Sequence, residues 1–426
     1  MTPVRVGLLG CGNVGAALVS QIQTGVDAIE ARTGLRLEVA RVAVRNLYRE
    51  RPVDLPEGVL THDAAAVVAD PDIDVVVEAI GGIEPARTLV LDALKAGKPV
   101  VTANKELLAN VGSDLFAAAD AAGVDLLFEA AVGGGIPLIR PLRESLAGER
   151  IRRVMGIVNG TTNYVLTRMS EEGLSYADAL AEAQGLGYAE RDPTADVEGF
   201  DAGAKAAILA TVAFRATVVA GDVYREGIAA ITPADLTSAA RLGYTVKLLA
   251  IAEQADDGRV AVRVHPAMVP SGHPLAGVRE SFNAVFVEGD AVGELMLYGR
   301  GAGGAPTASA VLGDLCDAAG NLRQGAASSM TALPRAVIRP IDEVRSEYYV
   351  HLDVSDRPGV LAAVAGVFAQ HDVSIRSVEQ EGMGDEARLI FITHEAPEAA
   401  VQATLQELRH LDAVDRVAGL LRVVGE

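Results

Sequence analysis

The feature that most constrains the fold is a glycine-rich turn near the start of the chain. Val4–Leu9 has the pattern of a short buried strand, and Gly10, Gly12 and Gly15 follow it with G-x-G-x-x-G spacing. An apolar pattern of helical period begins directly afterwards. In this setting the first glycine makes a tight turn, the second lets the backbone approach a pyrophosphate, and the third allows close helix–strand packing. The sequence therefore predicts a dinucleotide-binding domain built on a parallel sheet.

The end of the second predicted strand, residues 37–44, bears on which dinucleotide binds. NAD-binding sites commonly have an acid at this point, which bonds the ribose 2′-hydroxyl. Here Arg45 follows the strand instead, with Arg49 and Arg51 beyond it. Because arginine favours a 2′-phosphate, we predict a preference for NADP(H), with NAD(H) as the alternative. Arg49 and Arg51 also have the simpler interpretation of ordinary surface charges.

Lys105 lies just past the carboxyl end of a predicted strand at residues 99–102. Ligands bind at that edge of an open α/β sheet. A purely structural lysine in a first helical turn is disfavoured, because cations are unfavourable at helix N-termini. Lys105 is therefore a candidate site residue.

The segment 185–205 concentrates charge between two apolar regions, with Glu190, Asp196, Asp201 and Lys205 as its main members. A helical pattern starts near Val197, so Asp201 and Lys205 lie one turn apart on one face. An ordinary surface ion pair would contribute only about 0.2–0.5 kcal/mol. The helix that follows is almost wholly apolar, however, which predicts burial. Several carboxylates around one buried amine suit binding of a substrate ammonium and handling of a proton.

Composition and charge exclude several other classes of protein. The net charge is −20 and basic runs are absent, which argues against nucleic-acid or anionic membrane partners. No uncharged apolar run reaches the roughly 18 residues of a membrane span. Cys11 and Cys316 are single and far apart, which fits a reducing, cytoplasmic setting.

The chain is long enough for three domains. We predict an α/β protein with a Rossmann-type NAD(P)-binding domain over residues 1–130 and a central α+β catalytic and dimerisation domain over 131–335. Residues 346–426 follow a linker and show the order βαββαβ, which is typical of a ferredoxin-like module.

Taken together, these motifs resemble homoserine dehydrogenase over nearly the whole chain, and the last module resembles an ACT domain. The most specific motifs are Thr102-Ala-Asn-Lys-Glu106, Asn159-Gly-Thr-Thr-Asn163, Gly187-Tyr-Ala-Glu190, Gly199-Phe-Asp-Ala-Gly-Ala-Lys205, Gly301-Ala-Gly303 and Asp356-Arg-Pro-Gly-Val-Leu361. The resemblance implies reversible NAD(P)H-dependent reduction of L-aspartate 4-semialdehyde to L-homoserine, a step of threonine and methionine biosynthesis. It also implies a homodimer or homotetramer, and threonine as a feedback effector bound by the ACT domain.

The resemblance assigns roles to individual residues. Lys205 would be the proton-relay lysine and Lys105 a second active-site lysine, while the substrate would be bound by Glu190 and Asp201 with Asp196 close by. The implied cofactor contacts are Gly10, Gly12, Asn13, Val14, Gly15, Arg45, Lys105, Gly187 and Gly303. A monovalent cation, usually sodium, would bind the Glu129 carboxylate and the carbonyls of Val132, Gly134 and Ile136.

Two other functions stay open on the sequence. A related amino-acid dehydrogenase, such as an aspartate or saccharopine-type reductase, would share the N-terminal half but should lack the 185–205 constellation. A non-catalytic amino-acid sensor would use the C-terminal module and would tolerate loss of Lys105 and Lys205. Both lysines are present.

Overall fold

The computed structural model describes residues 2–328, 330–382 and 386–425. Its first part is a six-stranded parallel sheet in the order β3-β2-β1-β4-β5-β6. The elements are β1 (Val4–Leu9), α1 (Asn13–Thr33), β2 (Leu37–Ala43), β3 (Leu60–Thr61), α2 (Ala64–Ala69), β4 (Val75–Glu78), α3 (Ala86–Lys95), β5 (Val100–Thr102), α4 (Lys105–Ala122) and β6 (Leu126–Leu127). The strand order reverses between β1 and β4, and in such sheets ligands bind beyond the carboxyl ends of the strands at this point.

The second part is an antiparallel sheet in the order β12-β11-β7-β9-β10, with helices packed on one face. Its elements are β7 (Ile151–Ile157), α5 (Gly160–Glu172), α6 (Tyr176–Gly185), α7 (Thr194–Val197), α8 (Phe200–Phe214), β8 (Tyr224–Arg225), α9 (Pro233–Arg241), β9 (Tyr244–Gln254), β10 (Val260–Pro270), β11 (Phe282–Gly289) and β12 (Gly293–Arg300). Helix α8 is almost wholly buried, as its apolar sequence predicts, and it packs against β9, β10 and α4.

After β12 the chain returns to the first sheet. Helix α10 (Gly304–Gln324) packs along α1 and against β4 and β5. Its buried residues Val311 and Leu315 share one apolar cluster with Leu18 and Val19 of α1. A helix that follows the central sheet in sequence therefore completes the nucleotide-binding layer.

The C-terminal module contains β13 (Arg345–Ser355), α11 (Val360–Gln370), β14 (Ile375–Gly382), β15 (Glu386–Thr393), β16 (Ala396–Pro397), α12 (Glu398–Leu408) and β17 (Val414–Val423). Its strands follow the order β17-β13-β15-β14. Strand β17 also pairs in parallel with β10 through Ala267–Arg422 and Met268–Val423, so the central and C-terminal sheets are continuous. The predicted fold class is confirmed: a parallel nucleotide-binding sheet, a central α+β part and a C-terminal βαββαβ module.

One local prediction is wrong, because the helix expected from Val197 onwards is broken. Gly199 has φ of +76°, a left-handed conformation that ends α7 and lets α8 begin at Phe200. A Cβ at Gly199 would also lie 3.2 Å from the Cγ1 of Val264. The resulting turn lies between Asp196 and Asp201. None of the described helices is both long and apolar enough to cross a membrane.

Candidate active site

The three glycines of the first turn have different surroundings. Gly10 has φ of +99°, and a Cβ there would lie 2.5 Å from the carbonyl oxygen of Ala79. A Cβ at Gly15 would lie 2.3 Å from the carbonyl oxygen of Gly10. A Cβ at Gly12 would meet nothing within 4 Å. Gly10 and Gly15 therefore shape the turn, while Gly12 leaves its surface and the N-terminus of α1 open to a ligand.

This turn lines a cleft of about 660 Å³ at the switch point of the sheet. Arg45, Arg49 and Arg51 line the same cleft. The Arg51 guanidinium donates to the carbonyl oxygens of Asn46 (2.6 Å) and Arg49 (2.7 Å), while Arg45 is exposed. The cleft thus carries positive charge beyond β2, where the sequence predicted a phosphate contact.

The second glycine-rich loop approaches the same turn. Gly303 has φ of +119°, and a Cβ at the adjacent Gly304 would lie 3.1 Å from the carbonyl oxygen of Asn13. Gly187, in contrast, lies in an exposed turn with φ of +78°. The structure therefore brings Gly303 to the nucleotide turn, and it gives Gly187 the backbone conformation that suits glycine.

The central feature of the site is one buried carboxylate between two ammonium groups. Asp201 Oδ1 lies 2.5 Å from Lys105 Nζ, and Asp201 Oδ2 accepts a hydrogen bond of 2.7 Å from Lys205 Nζ. Lys205 Nζ also donates to the carbonyl oxygen of Val158 at 2.7 Å. Packing of α4 on α8 brings Lys105 to this point from the nucleotide-binding layer. Two lysines that are 100 positions apart in sequence thus share one acid.

Asn159 links this acid to a second one. Its Nδ2 donates to Asp196 Oδ1 (2.7 Å) and to Asp201 Oδ2 (2.9 Å), while its Oδ1 caps α5 by accepting from the Thr162 N–H. In the sequence, Asn159 belongs to one of the motifs that carry the family resemblance. The bridge between Asp196 and Asp201 was not predicted, because nothing in the local pattern shows which acids face the amide.

The electrostatics of the cluster follow from burial and pairing. Burial alone would raise the pKa of Asp201, but Lys205 and Lys105 hold that pKa well below its usual range. Burial likewise opposes charge on Lys105, but Asp201 outweighs it and raises the pKa of this lysine. The pKa of Asp196 is raised, first by burial and then, against the hydrogen bond from Asn159, by the nearby Asp201. Lys105 and Asp201 are therefore both charged at neutral pH.

Glu190 lies outside this hydrogen-bonded cluster. The residue is exposed, and its backbone carbonyl accepts from Gln184 Nε2 at 3.0 Å. Its neighbours Leu186 and Tyr188 are also exposed, at 58% and 45%. The loop 186–191 therefore presents apolar side chains and one acid to the solvent beside the cluster.

The residues predicted to bind a cation have a structural role as well. The Glu129 carboxylate accepts backbone N–H groups from Leu138, Ile139 (2.7 Å) and Arg140 (2.8 Å). The Glu129 N–H donates in turn to Asp314 Oδ2 of α10 at 2.7 Å. Within the part of the chain that the structure describes, no group of three or more His, Cys, Asp or Glu residues is arranged to hold a metal ion.

Three family models match the chain. They are described as "Homoserine dehydrogenase, NAD binding domain" over residues 10–129, "Homoserine dehydrogenase" over 137–316 and "ACT domain" over 348–412. The homoserine dehydrogenase of Mycobacterium tuberculosis is 52% identical, and the alignment covers 99% of this chain and 98% of that protein. The chain belongs to the homoserine dehydrogenase family. The homoserine dehydrogenase of Corynebacterium glutamicum is 50% identical, with 99% and 95% covered.

Solved structures of homoserine dehydrogenases are similar as well. The Thiobacillus denitrificans enzyme has a TM-score of 0.94 at 43% identity, covering 100% of this chain and 99% of that one. The Staphylococcus aureus enzyme has a TM-score of 0.79 at 32% identity, with both chains fully covered. A hyperthermophilic archaeal homoserine dehydrogenase, solved in complex with NADPH, has a TM-score of 0.60 at 28% identity, with 75% and 98% covered. The protein is thus an NAD(P)-dependent oxidoreductase, as predicted. Its membership of this family over the whole chain excludes the sensor and the other dehydrogenases.

In this homoserine dehydrogenase, sequence reasoning missed Glu78 at the end of β4. Its fully buried carboxylate accepts the N–H groups of Ile80 (2.7 Å) and Gly81 (3.1 Å) and the hydroxyl of Thr102 (2.5 Å). Glu78 therefore fixes the loop after β4 to the strand that leads to Lys105. An acid at the end of an otherwise apolar buried strand was the available signal.

Proposed function

We propose that Lys205 exchanges a proton with the substrate oxygen, that Lys105 is a second ammonium at the same oxygen, and that Asp201 orients both. The observation that carries this proposal is the single buried carboxylate with one lysine on each oxygen. When bound, the nicotinamide supplies or accepts the hydride. As an aldehyde carbon gains hydride, negative charge grows on its oxygen, and a nearby ammonium stabilises that charge and donates a proton. Homoserine oxidation runs through the same groups in reverse.

The substrate ammonium then needs other carboxylates. Both Asp201 oxygens already face lysines, which leaves Asp196 and Glu190 as partners for the substrate amino group. Asp201 is the third acid of this group and lies between the two lysines. Asp196 is fixed by Asn159, whereas Glu190 lies in the exposed loop beside it. Holding the ammonium fixes the reacting carbon against the cofactor.

We propose that NADP(H) is the preferred cofactor and NAD(H) the alternative. The cofactor contacts would be Gly10, Gly12, Asn13, Val14, Gly15, Arg45, Lys105, Gly187 and Gly303. The support is the arginine-lined cleft and the absence of an acid directly after β2, together with the NADPH complex of the archaeal relative. The substitution Arg45→Asp should lower kcat/KM for NADP⁺ relative to NAD⁺ by about tenfold or more. It replaces a guanidinium that donates hydrogen bonds to the 2′-phosphate with a carboxylate that repels it. A ratio that does not move would exclude Arg45 from phosphate binding.

We propose sodium as a structural cation on the carboxylate of Glu129 and the carbonyls of Val132, Gly134 and Ile136. The donor set fits a hard cation, because all four donors are oxygens. The Glu129 Oε2 atom accepts one of the three backbone N–H groups, which leaves it a lone pair. Bound sodium would fix the loop between the two layers. The melting temperature should rise with NaCl more than with choline chloride at equal ionic strength, and Glu129→Gln should remove the difference.

We propose that the ACT module binds threonine and that the protein assembles as a homodimer or homotetramer. The support is the ACT match and the continuous sheet that joins this module to the catalytic layer. Millimolar threonine should slow turnover and raise the melting temperature, and no effect on either would remove the regulatory role. Light scattering measures the number of subunits.

We propose three domains with the bounds 1–130, 131–335 and 346–426. Helix α10 belongs to the second by sequence but packs on the first.

The experiment that tests the whole proposal follows absorbance of the reduced nicotinamide with homoserine and NADP⁺, then NAD⁺, each with and without threonine. Turnover dependent on homoserine, faster with NADP⁺ and slowed by threonine, is the expected result. Turnover with NAD⁺ alone would overturn the cofactor preference and leave the roles of the lysines to the variants below.

A further inference from the structure

Arg422 joins the C-terminal module to the catalytic layer. It lies near the end of β17 and is only 3% exposed. Its Nη1 and Nη2 donate to the two carboxylate oxygens of Glu226 at 3.0 and 2.8 Å, while Nε and Nη2 donate to those of Glu398 at 2.8 and 2.9 Å. Glu398 begins α12 of the same module, whereas Glu226 follows β8 of the catalytic layer. One guanidinium therefore binds a carboxylate of the C-terminal module and a carboxylate of the catalytic layer.

Glu226 also has contacts within the catalytic layer. Its N–H donates to the carbonyl oxygen of Val264 in β10 at 2.8 Å, and its carboxylate accepts the Tyr224 hydroxyl. The Arg422 guanidinium also lies over the Tyr224 ring, 5.4 Å from its centroid. The Arg422 side of this pair is buried and Glu226 is partly exposed, and the bidentate geometry fixes the relative orientation of the two groups.

The residues after Glu226 form the back wall of the turn that carries the site acids. The Ile228 N–H donates to the carbonyl oxygen of Val197 at 2.9 Å. A Cβ at Gly227 would lie 2.3 Å from that oxygen, and a Cβ at Gly199 would lie 3.5 Å from the carbonyl oxygen of Glu226. Residues 226–228 thus pack directly against residues 197–199. Asp196 and Asp201 flank that turn.

We propose that Arg422 is a positioning residue for the reaction, which acts through Glu226 to fix the turn between Asp196 and Asp201. The position of the C-terminal module then sets the geometry of Asp196 and Asp201. This inference rests on the proposed roles of Asp196 at the substrate ammonium and of Asp201 between the two lysines. A displacement of about 1 Å at reacting groups is enough to cost up to a hundredfold in rate. The cofactor cleft lies in the nucleotide-binding layer, so the affinity of the protein for the dinucleotide should be unaffected.

The test compares two variants that each neutralise one of the two carboxylates paired with Arg422. Glu226→Gln weakens the grip on the catalytic layer, and Glu398→Gln weakens a contact within the C-terminal module itself. We expect Glu226→Gln to lower kcat/KM for homoserine by about tenfold, with the KM of the dinucleotide unchanged within about twofold. The matched control Glu398→Gln should leave kcat/KM for homoserine within about twofold of the native value.

Equal effects of the two variants on homoserine kinetics would overturn the inference, as would equal increases in the KM of homoserine and of the dinucleotide. If Glu226→Gln does not fold, Arg422→Lys replaces it, because lysine keeps the charge but cannot bind two carboxylates bidentately. The expected result is then a fall in kcat/KM for homoserine in Arg422→Lys that Glu398→Gln does not show. Asp201→Asn separates the two levels of the argument. Normal homoserine kinetics in Asp201→Asn would remove the proposed site, whereas impaired kinetics there with normal kinetics in Glu226→Gln would remove only the role of Arg422.

Discussion

Two lysines of the central domain, Lys205 in α8 and Lys247 in β9, each donate a hydrogen bond to one backbone carbonyl. Lys205 Nζ donates to the carbonyl oxygen of Val158 at 2.7 Å, and Lys247 Nζ donates to that of Val278 at 2.5 Å. The other contact differs, because Lys205 faces the carboxylate of Asp201, whereas Lys247 faces the side-chain oxygen of Asn163 at 3.1 Å. The partly buried Lys205 has a charged partner, whereas the fully buried Lys247 has a neutral one.

The difference is reflected in the pKa of Lys247 and in the pKa of Asp201. Burial lowers the pKa of Lys247 to about 8, an effect that Glu171 only partly offsets and Arg279 reinforces. On the Lys205 side the carboxylate of Asp201 stays ionised, because Lys205 and Lys105 outweigh the effect of burial on its pKa. Lys205 therefore faces an ionised acid, whereas the direct side-chain partner of Lys247 is an amide oxygen.

Among the substitutions at these lysines and their partners, Lys205→Ala should have the largest effect on the rate. We expect kcat to fall by about a hundred- to ten-thousand-fold, the usual contribution of a positioned acid or base, with little change in the affinity for the cofactor. Steady-state kinetics with homoserine as the varied substrate measure this, with Lys247→Met as the matched buried-lysine control. A kcat that stays at the native value would exclude Lys205 from the chemistry.

Asp201→Asn should have the next largest effect, because it gives the lysine pair of the active site the neutral partner that Lys247 already has. With the carboxylate gone, Lys105 loses the main interaction that raises its pKa. We expect kcat/KM for homoserine to fall by about a hundredfold and the pH profile to shift towards lower pH. A native profile would show that the two ammonium groups do not depend on this acid.

Lys247→Met sharpens the comparison through stability rather than rate. Native Lys247 has a pKa of about 8, against 10.5 for the ordinary side chain. Between these values the unfolded chain binds more protons at this lysine than the folded one, so the unfolding free energy of the native protein rises with pH. Relative to the variant, the gain from pH 8 to 10.5 should approach, at most, about 3 kcal/mol.

Urea unfolding of both proteins across this pH range measures the difference, which cancels the other groups that titrate there. A difference in unfolding free energy that stays constant with pH would show that Lys247 is charged in the folded protein. The kcat of Lys247→Met should stay within about threefold of the native value, because Lys247 contacts none of the proposed reacting groups.

The nucleotide turn was predictable from sequence because its parts are contiguous. Spacing alone assigned different tasks to Gly10, Gly12 and Gly15, and their surroundings agree with those tasks. Lys105 and the segment 185–205 were also identified locally. Their meeting at Asp201 depends on the packing of α4 on α8, which no short pattern encodes. The break at Gly199 was missed because the apolar period continues across it, whereas a left-handed glycine ends the helix.

The return of helix α10 has a consequence for how the protein is made. Its residues fill the apolar surface of α1, yet they are translated roughly 180 residues after β6, a delay of about ten to thirty seconds at ordinary elongation rates. During that time the nascent nucleotide layer exposes the apolar patch around Leu18 and Val19. The first layer to emerge from the ribosome therefore cannot finish folding before the central sheet has been synthesised, and a fragment that ends at residue 130 should be prone to aggregation.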